Sequence, residues 1–185
     1  MRKLTFVLAM AALGAACSQS PTAPEFTVPL SVSSVKTGEP LSSTHLAGEN
    51  EAPVARETEA QGQAIMKVAE DGRSISFKLI ASNIDNVIAA HIHVGSATVA
   101  GPVVVFLYGT VPSGGGRHDG ILSEGTFTAA DFTGPLAGQP FAALLAQMAA
   151  GNTYVNVHTN DGVAPTNTGP GDFPGGEIRG QIVKK

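Results

Sequence analysis

QGQAIMKVAEDGRSISFKLIA, residues 61–81, decides the fold class of this chain. Ala64, Met66 and Val68 alternate with Gln63, Ile65 and Lys67, the two-residue period of a strand with one covered face. Asp71-Gly72 then marks a hairpin, because glycine accepts the positive φ that such a turn needs. From Ser74 the alternation resumes, with Ile75, Phe77, Leu79 and Ala81 on the inward face. Two alternating runs joined by a tight turn are the unit from which antiparallel sheets are built.

The pattern extends along the chain. Val87 to Val94 reads as the next strand, and the unbroken apolar run Val103 to Tyr108 suits a central one. A glycine-rich link, GTVPSGGGRHDG, precedes a strand over Ile121 to Phe127. Phe141, Leu144, Leu145 and Met148 recur at helical spacing between Pro140 and Gly151, which predicts one short amphipathic helix. Tyr154 to Thr159 and Glu177 to Val183 close the sheet. About seven strands and one helix predict an all-β, Ig-like or Greek-key β-sandwich.

Composition agrees. Of 185 residues 43% are apolar, enough for a core, and only 14% are charged, against about a quarter in an average domain. The 22 Gly and 12 Pro suit a turn-rich fold. Net charge is −4, or −6 for a chain without Arg2 and Lys3, and no basic run is present. Nucleic acid is therefore an unsuitable partner, since nothing would displace counterions along a phosphate backbone. The one cysteine, Cys17, precedes the folded part, which excludes an internal disulfide and a cysteine-rich zinc site.

Residues 1–16 carry the marks of a secretory leader: Arg2 and Lys3, an apolar stretch from Leu4 to Leu13 too short to span a bilayer, then Gly14, Ala15 and Ala16 before Cys17. This arrangement resembles a bacterial lipoprotein signal, although Gly14 occupies the place where an aliphatic residue is usual. The resemblance implies a lipid on Cys17 and attachment to the membrane. Ser18 in place of aspartate implies the outer membrane or the surface; the alternative is cleavage to a soluble secreted form. Residues 17–43, rich in Ser, Thr and Pro, read as a tether, with Phe26 to Val35 as an alternative edge strand. The folded domain is expected over 44–185.

Four segments taken in order resemble the CHRD domain, named for chordin. They are LAGENEAPV (46–54), the hairpin GQAIMKVAEDGRSISFKLIASNI, AAHIHVGSATVAGPVVVFLYG (89–109), and the pair GNTYVNVHTNDG and PGGEIRGQI ending at Ile182. The likeness spans about 44–183. The Thr159–Gly175 link and the loop around Gly114 to Gly116 are longer than in the family pattern. The resemblance implies an extracellular β module more firmly than any reaction.

His91 and His93 share one strand face, and Tyr154, Asn156 and His158 share another. If these two strands are neighbours, three imidazoles converge in a set that suits Zn²⁺ or Cu²⁺. AHIHVG also resembles the His-x-His strand of copper/zinc superoxide dismutases. That likeness implies His91 and His93 as ligands, with His158 as a third and Glu177 or Asp161 as carboxylates. The dismutase zinc loop and disulfide have no counterpart here. The alternative is structural: imidazoles, with Asn156, that hydrogen-bond backbone and brace the Asn160–Gly176 loop. Glu177 and Arg179 share a face and could pair; since an exposed pair adds only about 0–1 kcal/mol, they read as structural residues or a loop anchor. His118 and Asp119 are expected in a solvated loop, and His45 is isolated. Asp161 and Asp172 lack the regular spacing of a Ca²⁺ loop.

The expectation is an envelope-anchored, non-catalytic binding or structural module for an extracellular protein or glycan. The rival is a Cu- or Zn-binding protein using His91, His93 and His158; a dismutase-like enzyme is a more distant reading.

Overall fold

A computed structural model describes residues 40–182; the leader, Cys17 and the alternative strand at Phe26 to Val35 lie outside them. The elements in order are β1 (Pro40–Ala47), β2 (Gln61–Val68), β3 (Ser74–Asp85), β4 (Val87–Val94), β5 (Val103–Tyr108), β6 (Arg117–Thr128), α1 (Phe141–Ala149), β7 (Thr153–Thr159) and β8 (Ile178–Gln181), with short 3₁₀ turns between. β1 begins at Pro40, so strand pairing starts within the last four residues of the expected tether.

The alternation that defined the hairpin is realised residue by residue. In β2, Gly62, Ala64, Met66 and Val68 are buried while Gln61, Gln63, Ile65 and Lys67 face solvent. In β3, Ile75, Leu79 and Ala81 are buried, and half-buried Phe77 packs its ring 6.2 Å from that of Phe127. α1 starts after Pro140 and buries Phe141, Leu144, Leu145 and Met148. It ends in a Schellman arrangement: Gly151 N–H bonds Met148 O at 3.1 Å, Asn152 N–H bonds Gln147 O at 2.9 Å, and Gly151 takes φ 70°.

The eight strands form one continuous antiparallel sheet in the order β5-β4-β7-β8-β1-β2-β3-β6. The class is all-β with one helix, as expected, but the strands are not divided into two separately bonded sheets. The sheet rolls up until its two ends approach, and Ser123 Oγ on β6 donates to Leu107 O on β5 at 2.7 Å. The concave face and α1 enclose the apolar core, in which Leu46, Leu79, Ile92, Val155, Val157 and Ile178 are wholly buried. Burying one such side chain stabilises by about 1.5–3 kcal/mol, so the valines of β7 fix which face of that strand points inward. The apolar run of β5 is not a central strand. It bonds only to β4, and it is apolar because Val104, Val105 and Leu107 enter the core while Phe106, half-exposed, lies over a neighbouring ring.

Three loops complete the site region. Residues 48–60, 95–102 and 160–177 lie across the convex face of β4, β7 and β8. As a result every residue of β7 is buried, on both faces.

Candidate metal centre

β4 and β7 are direct antiparallel neighbours, with His91 opposite Asn156, His93 opposite Tyr154 and Ala89 opposite His158. Ile92, Val155 and Val157 enter the core from this pair, so His91, His93 and His158 share the other face, beneath the loops. The three imidazoles are 7–9% exposed, and each offers a nitrogen within 4.8 Å of the others. Ring centroids are 4.8 Å apart for His91 and His158, 5.6 Å for His91 and His93, and 5.7 Å for His93 and His158.

The hydrogen bonds fix the nitrogen roles. His93 Nδ1 donates to Gly101 O at 2.9 Å, and His158 Nδ1 donates to Pro174 O at 3.0 Å. A carbonyl can only accept, so both neutral rings carry their proton on Nδ1 and present the Nε2 lone pair inward. His91 Nδ1 lies 3.1 Å from His158 Nε2 and is therefore the donor of that bond. Its own Nε2, like that of His93, is buried with no partner. A buried polar atom without a partner costs about 1–3 kcal/mol, so this pair of lone pairs is open to a water or an ion.

The electrostatics keep these nitrogens unprotonated. Burial pushes His91 down to about 4, and the adjacent His158 and His93 push in the same direction. His158 is also lowered to about 4 by burial, against the opposing pull of the Pro174 carbonyl. His93 is lowered mainly by burial, with the Gly101 carbonyl opposing. At neutral pH all three rings are therefore neutral; His91 and His93 have a free Nε2 lone pair, and His158 Nε2 is freed for ligation when its bond from His91 Nδ1–H opens. Zn–N bonds of about 2.0–2.1 Å would require a modest inward closure of rings whose nitrogens already lie within 4.8 Å.

Aromatic groups flank the cluster. Phe106 stands edge-on to His91 at 4.5 Å and is half-exposed. Tyr154 stacks flat on His93 at 4.8 Å, and the Arg179 guanidinium lies 3.4 Å over the Tyr154 ring. Tyr154 Oη accepts from Gly101 N–H at 2.9 Å, which ties the 95–102 loop to the strand. Gly101 is required there, because a Cβ would run into Val94 O.

The other expected residues lie elsewhere. Glu177 is fully buried but outside the imidazole cluster. Oε1 accepts from Thr58 Oγ1 at 2.6 Å, and Oε2 accepts from Thr159 Oγ1 at 2.7 Å and Gly171 N–H at 2.8 Å. Glu177 and Arg179 do not pair with each other; both are buried and anchor loops, as the structural reading expects, with Arg179 donating to Ser96 O, Val99 O and Gln181 Oε1. The loops that cover β8 claim the guanidinium before the carboxylate can. Asp161 is half-buried and caps its own turn, accepting from Val163 N–H. Asp172 is buried and accepts from Thr168 N–H and Oγ1. His118 and Asp119 open β6 rather than lying in a loop; His118 Nε2 is buried without a partner, while Asp119 accepts from Arg117 and Asn83 N–H. His45 is exposed on β1, away from the cluster. Asn156 does not brace the 160–176 loop by a hydrogen bond; its amide donates to Glu51 Oε2 at 3.4 Å.

Sequence reasoning missed Glu51, which is 8% exposed and whose carboxyl is pushed up to about 7 by burial, with Arg179 opposing. It also missed the supporting carbonyls of Gly101 and Pro174 and the edge-on contact of Phe106. Tyr154 had a signal, since it shares the two-residue spacing of Asn156 and His158.

Comparison with known proteins rests on the same segments. The family model of the CHRD domain matches residues 42–182. The chain belongs to the CHRD family. The match runs from within β1 to just past β8 and so covers every strand of the CHRD domain described above. No curated protein and no solved structure matches the chain. Family membership makes this CHRD domain a binding or structural module of an extracellular kind, without specifying its ligand. Among the described residues no helix is long and apolar enough to cross a membrane.

Proposed function

We propose that this CHRD domain is an exported, non-catalytic module that holds a copper or zinc ion on His91, His93 and His158. The observation that carries the reading is the pair of unpartnered, buried Nε2 atoms of His91 and His93 within a cluster whose nitrogens lie within 4.8 Å. Bracing and ligation are compatible here. His93 and His158 each use Nδ1 on a backbone carbonyl, and that bond is what orients a histidine to ligate through Nε2. Imidazole ligands without thiolate or carboxylate suit Zn and Cu rather than the hard cations. A bound ion would supply Lewis acidity at its open position; the chain itself contributes three fixed donors and a cover of loops. Binding rather than turnover fits ligands that are nine-tenths buried beside Phe106 and beneath the 95–102 and 160–177 segments.

The leader and Cys17 support attachment of this module to the bacterial envelope through an N-terminal lipid, with the Ser/Thr/Pro-rich segment as spacer. An extracellular protein or glycan as further partner is compatible with an acidic β domain.

The test is metal content after purification without chelator, followed by titration of metal-free protein with Zn²⁺ or Cu²⁺. One equivalent should bind, and melting temperature should rise with free metal as binding to the folded state requires. The double variant His91→Ala, His93→Ala should lose both effects. A melting temperature that does not move with either metal would refute the proposal.

A further inference from the structure

A second polar site lies on the far side of Asn156 from the histidines. A cleft of about 520 Å³ opens between the 49–53 segment, Ala97 and Thr98 of the 95–102 loop, and Arg179 and Gln181 of β8. That volume falls within the range of small-ligand pockets, about 300–1,000 Å³. We propose that this cleft binds a ligand through a primary ammonium or guanidinium group, received by Glu51.

The chemistry of the walls points one way. The strong donors are already engaged inside the protein. Arg179 gives Nη1 to Val99 O, and Nη2 to Ser96 O and Gln181 Oε1. Gln181 gives its amide to Gly95 O and Gly151 O, and Asn50 gives Nδ2 to Arg179 O. The acceptors are left over. Glu51 is more than nine-tenths buried, yet its Oε1 has no hydrogen-bond partner, and its Oε2 receives a long bond from Asn156. Asn156 Oδ1, directly behind, is also buried and unpartnered. Glu49 adds an exposed carboxylate on the rim. A cleft with unsatisfied carboxylate oxygens, whose arginine and glutamine are already bonded to protein acceptors, is complementary to a donor group, and a charged one makes the stronger bond.

Alternative ligands fit less well. An anion would meet two carboxylates, and a guanidinium that already gives three bonds to carbonyls and an amide. Ca²⁺ takes six to eight oxygens, whereas this cleft is lined by two carboxylates and the cationic Arg179. An ammonium or guanidinium carries one charge and several directed N–H bonds. The raised proton affinity of Glu51 agrees, since it marks a carboxylate short of partners.

The experiment is calorimetric titration of the full chain with Nα-acetyl-lysine amide and Nα-acetyl-arginine amide, using the uncharged Nε-acetylated lysine analogue as control. At least one cationic probe should bind saturably at one site, in the range of about 10 μM to 1 mM, and the control should give no binding. Glu51→Gln, which keeps the shape but removes the charge, should weaken binding at least tenfold. Thr98→Trp, which fills the cleft from the opposite wall and leaves Glu51 intact, should do the same, and it carries the test if the first variant does not fold. The proposal is overturned if neither cationic probe binds, if the uncharged analogue binds equally, if Ca²⁺ alone occupies the cleft, or if a folded variant binds as tightly as the parent.

Discussion

Glu177 is the residue whose removal the structure prices most directly. Its carboxylate is wholly buried and receives three hydrogen bonds from three places: Thr58 Oγ1 in the 48–60 loop, Thr159 Oγ1 at the end of β7, and Gly171 N–H in the 160–177 loop. The two ion pairs among the described residues, Lys78–Glu124 and Arg117–Asp119, are elsewhere, so these donors are what hold the group. Each hydrogen bond to a charged group contributes about 1.5–3 kcal/mol. Such bonds share one acceptor and do not add fully. Glu177→Ala is therefore expected to cost about 4 kcal/mol, at the upper end of single substitutions. Glu177→Gln should cost much less, about 1–2 kcal/mol. The amide oxygen can keep Thr159 and Gly171, and the new NH₂ can face Thr58, whose hydroxyl rotates to accept. Urea denaturation, compared at equal slope, measures both. An Ala variant within 1 kcal/mol of the parent, on the scale of an ordinary surface change, would refute the account. So would a Gln variant as damaging as Ala.

Further outcomes follow from the same structure. Apo-protein stability should fall as pH drops from about 6.5 toward about 4, because His91 and His158 are lowered in the fold and the unfolded chain takes up their protons first. Glu51 acts in the opposite sense. Its folded value is raised to about 7, so its contribution is present below about 4.5 and is lost as pH climbs to 7. Urea midpoints of the parent and of His91→Phe, His158→Phe across pH 4.5–6.5 should show a clearly smaller acid loss in the variant, where His93 alone of the three remains to be protonated. Gly101→Ala should destabilise by about 2 kcal/mol or more and weaken metal binding, since the new Cβ meets Val94 O and displaces the carbonyl that orients His93; thermal melts with and without Zn²⁺ read both. Cys17→Ser should move the protein from the membrane fraction to the soluble fraction, as immunoblots of fractionated cells would show.

Local order was legible in the sequence wherever one residue's neighbours decided its side. The period of two in Gln61–Val68 and from Ile75 to Ala81, the turn at Asp71-Gly72 and the Pro140–Gly151 brackets of α1 all depend on interactions close along the chain. The shared face of His91 and His93 belongs to the same class of inference. The convergence with His158 does not, because it needs β4 beside β7 across 67 residues, and alternation carries no information on pairing. β1 was hidden because Pro40-Leu41-Ser42-Ser43 alternates nothing. The run Val103–Tyr108 looked central because apolarity reports burial, and an edge strand rolled against β6 is buried too. Glu51, Glu177 and Arg179 are charged residues, and a sequence places charge at the surface by default. Only the three covering loops, with their supply of carbonyls, hydroxyls and amides, make the interior acceptable to them.

The most direct measurement is nitrogen NMR of the imidazoles in ¹⁵N-histidine-labelled protein, recorded before and after one equivalent of Zn²⁺. The account predicts that His93 and His158 keep a protonated Nδ1 throughout, while their Nε2 resonances and one nitrogen of His91 move to metal-bound positions, and His45 and His118 stay where they were. Unmoved His91, His93 and His158 signals, or shifts confined to His45 and His118, would contradict it.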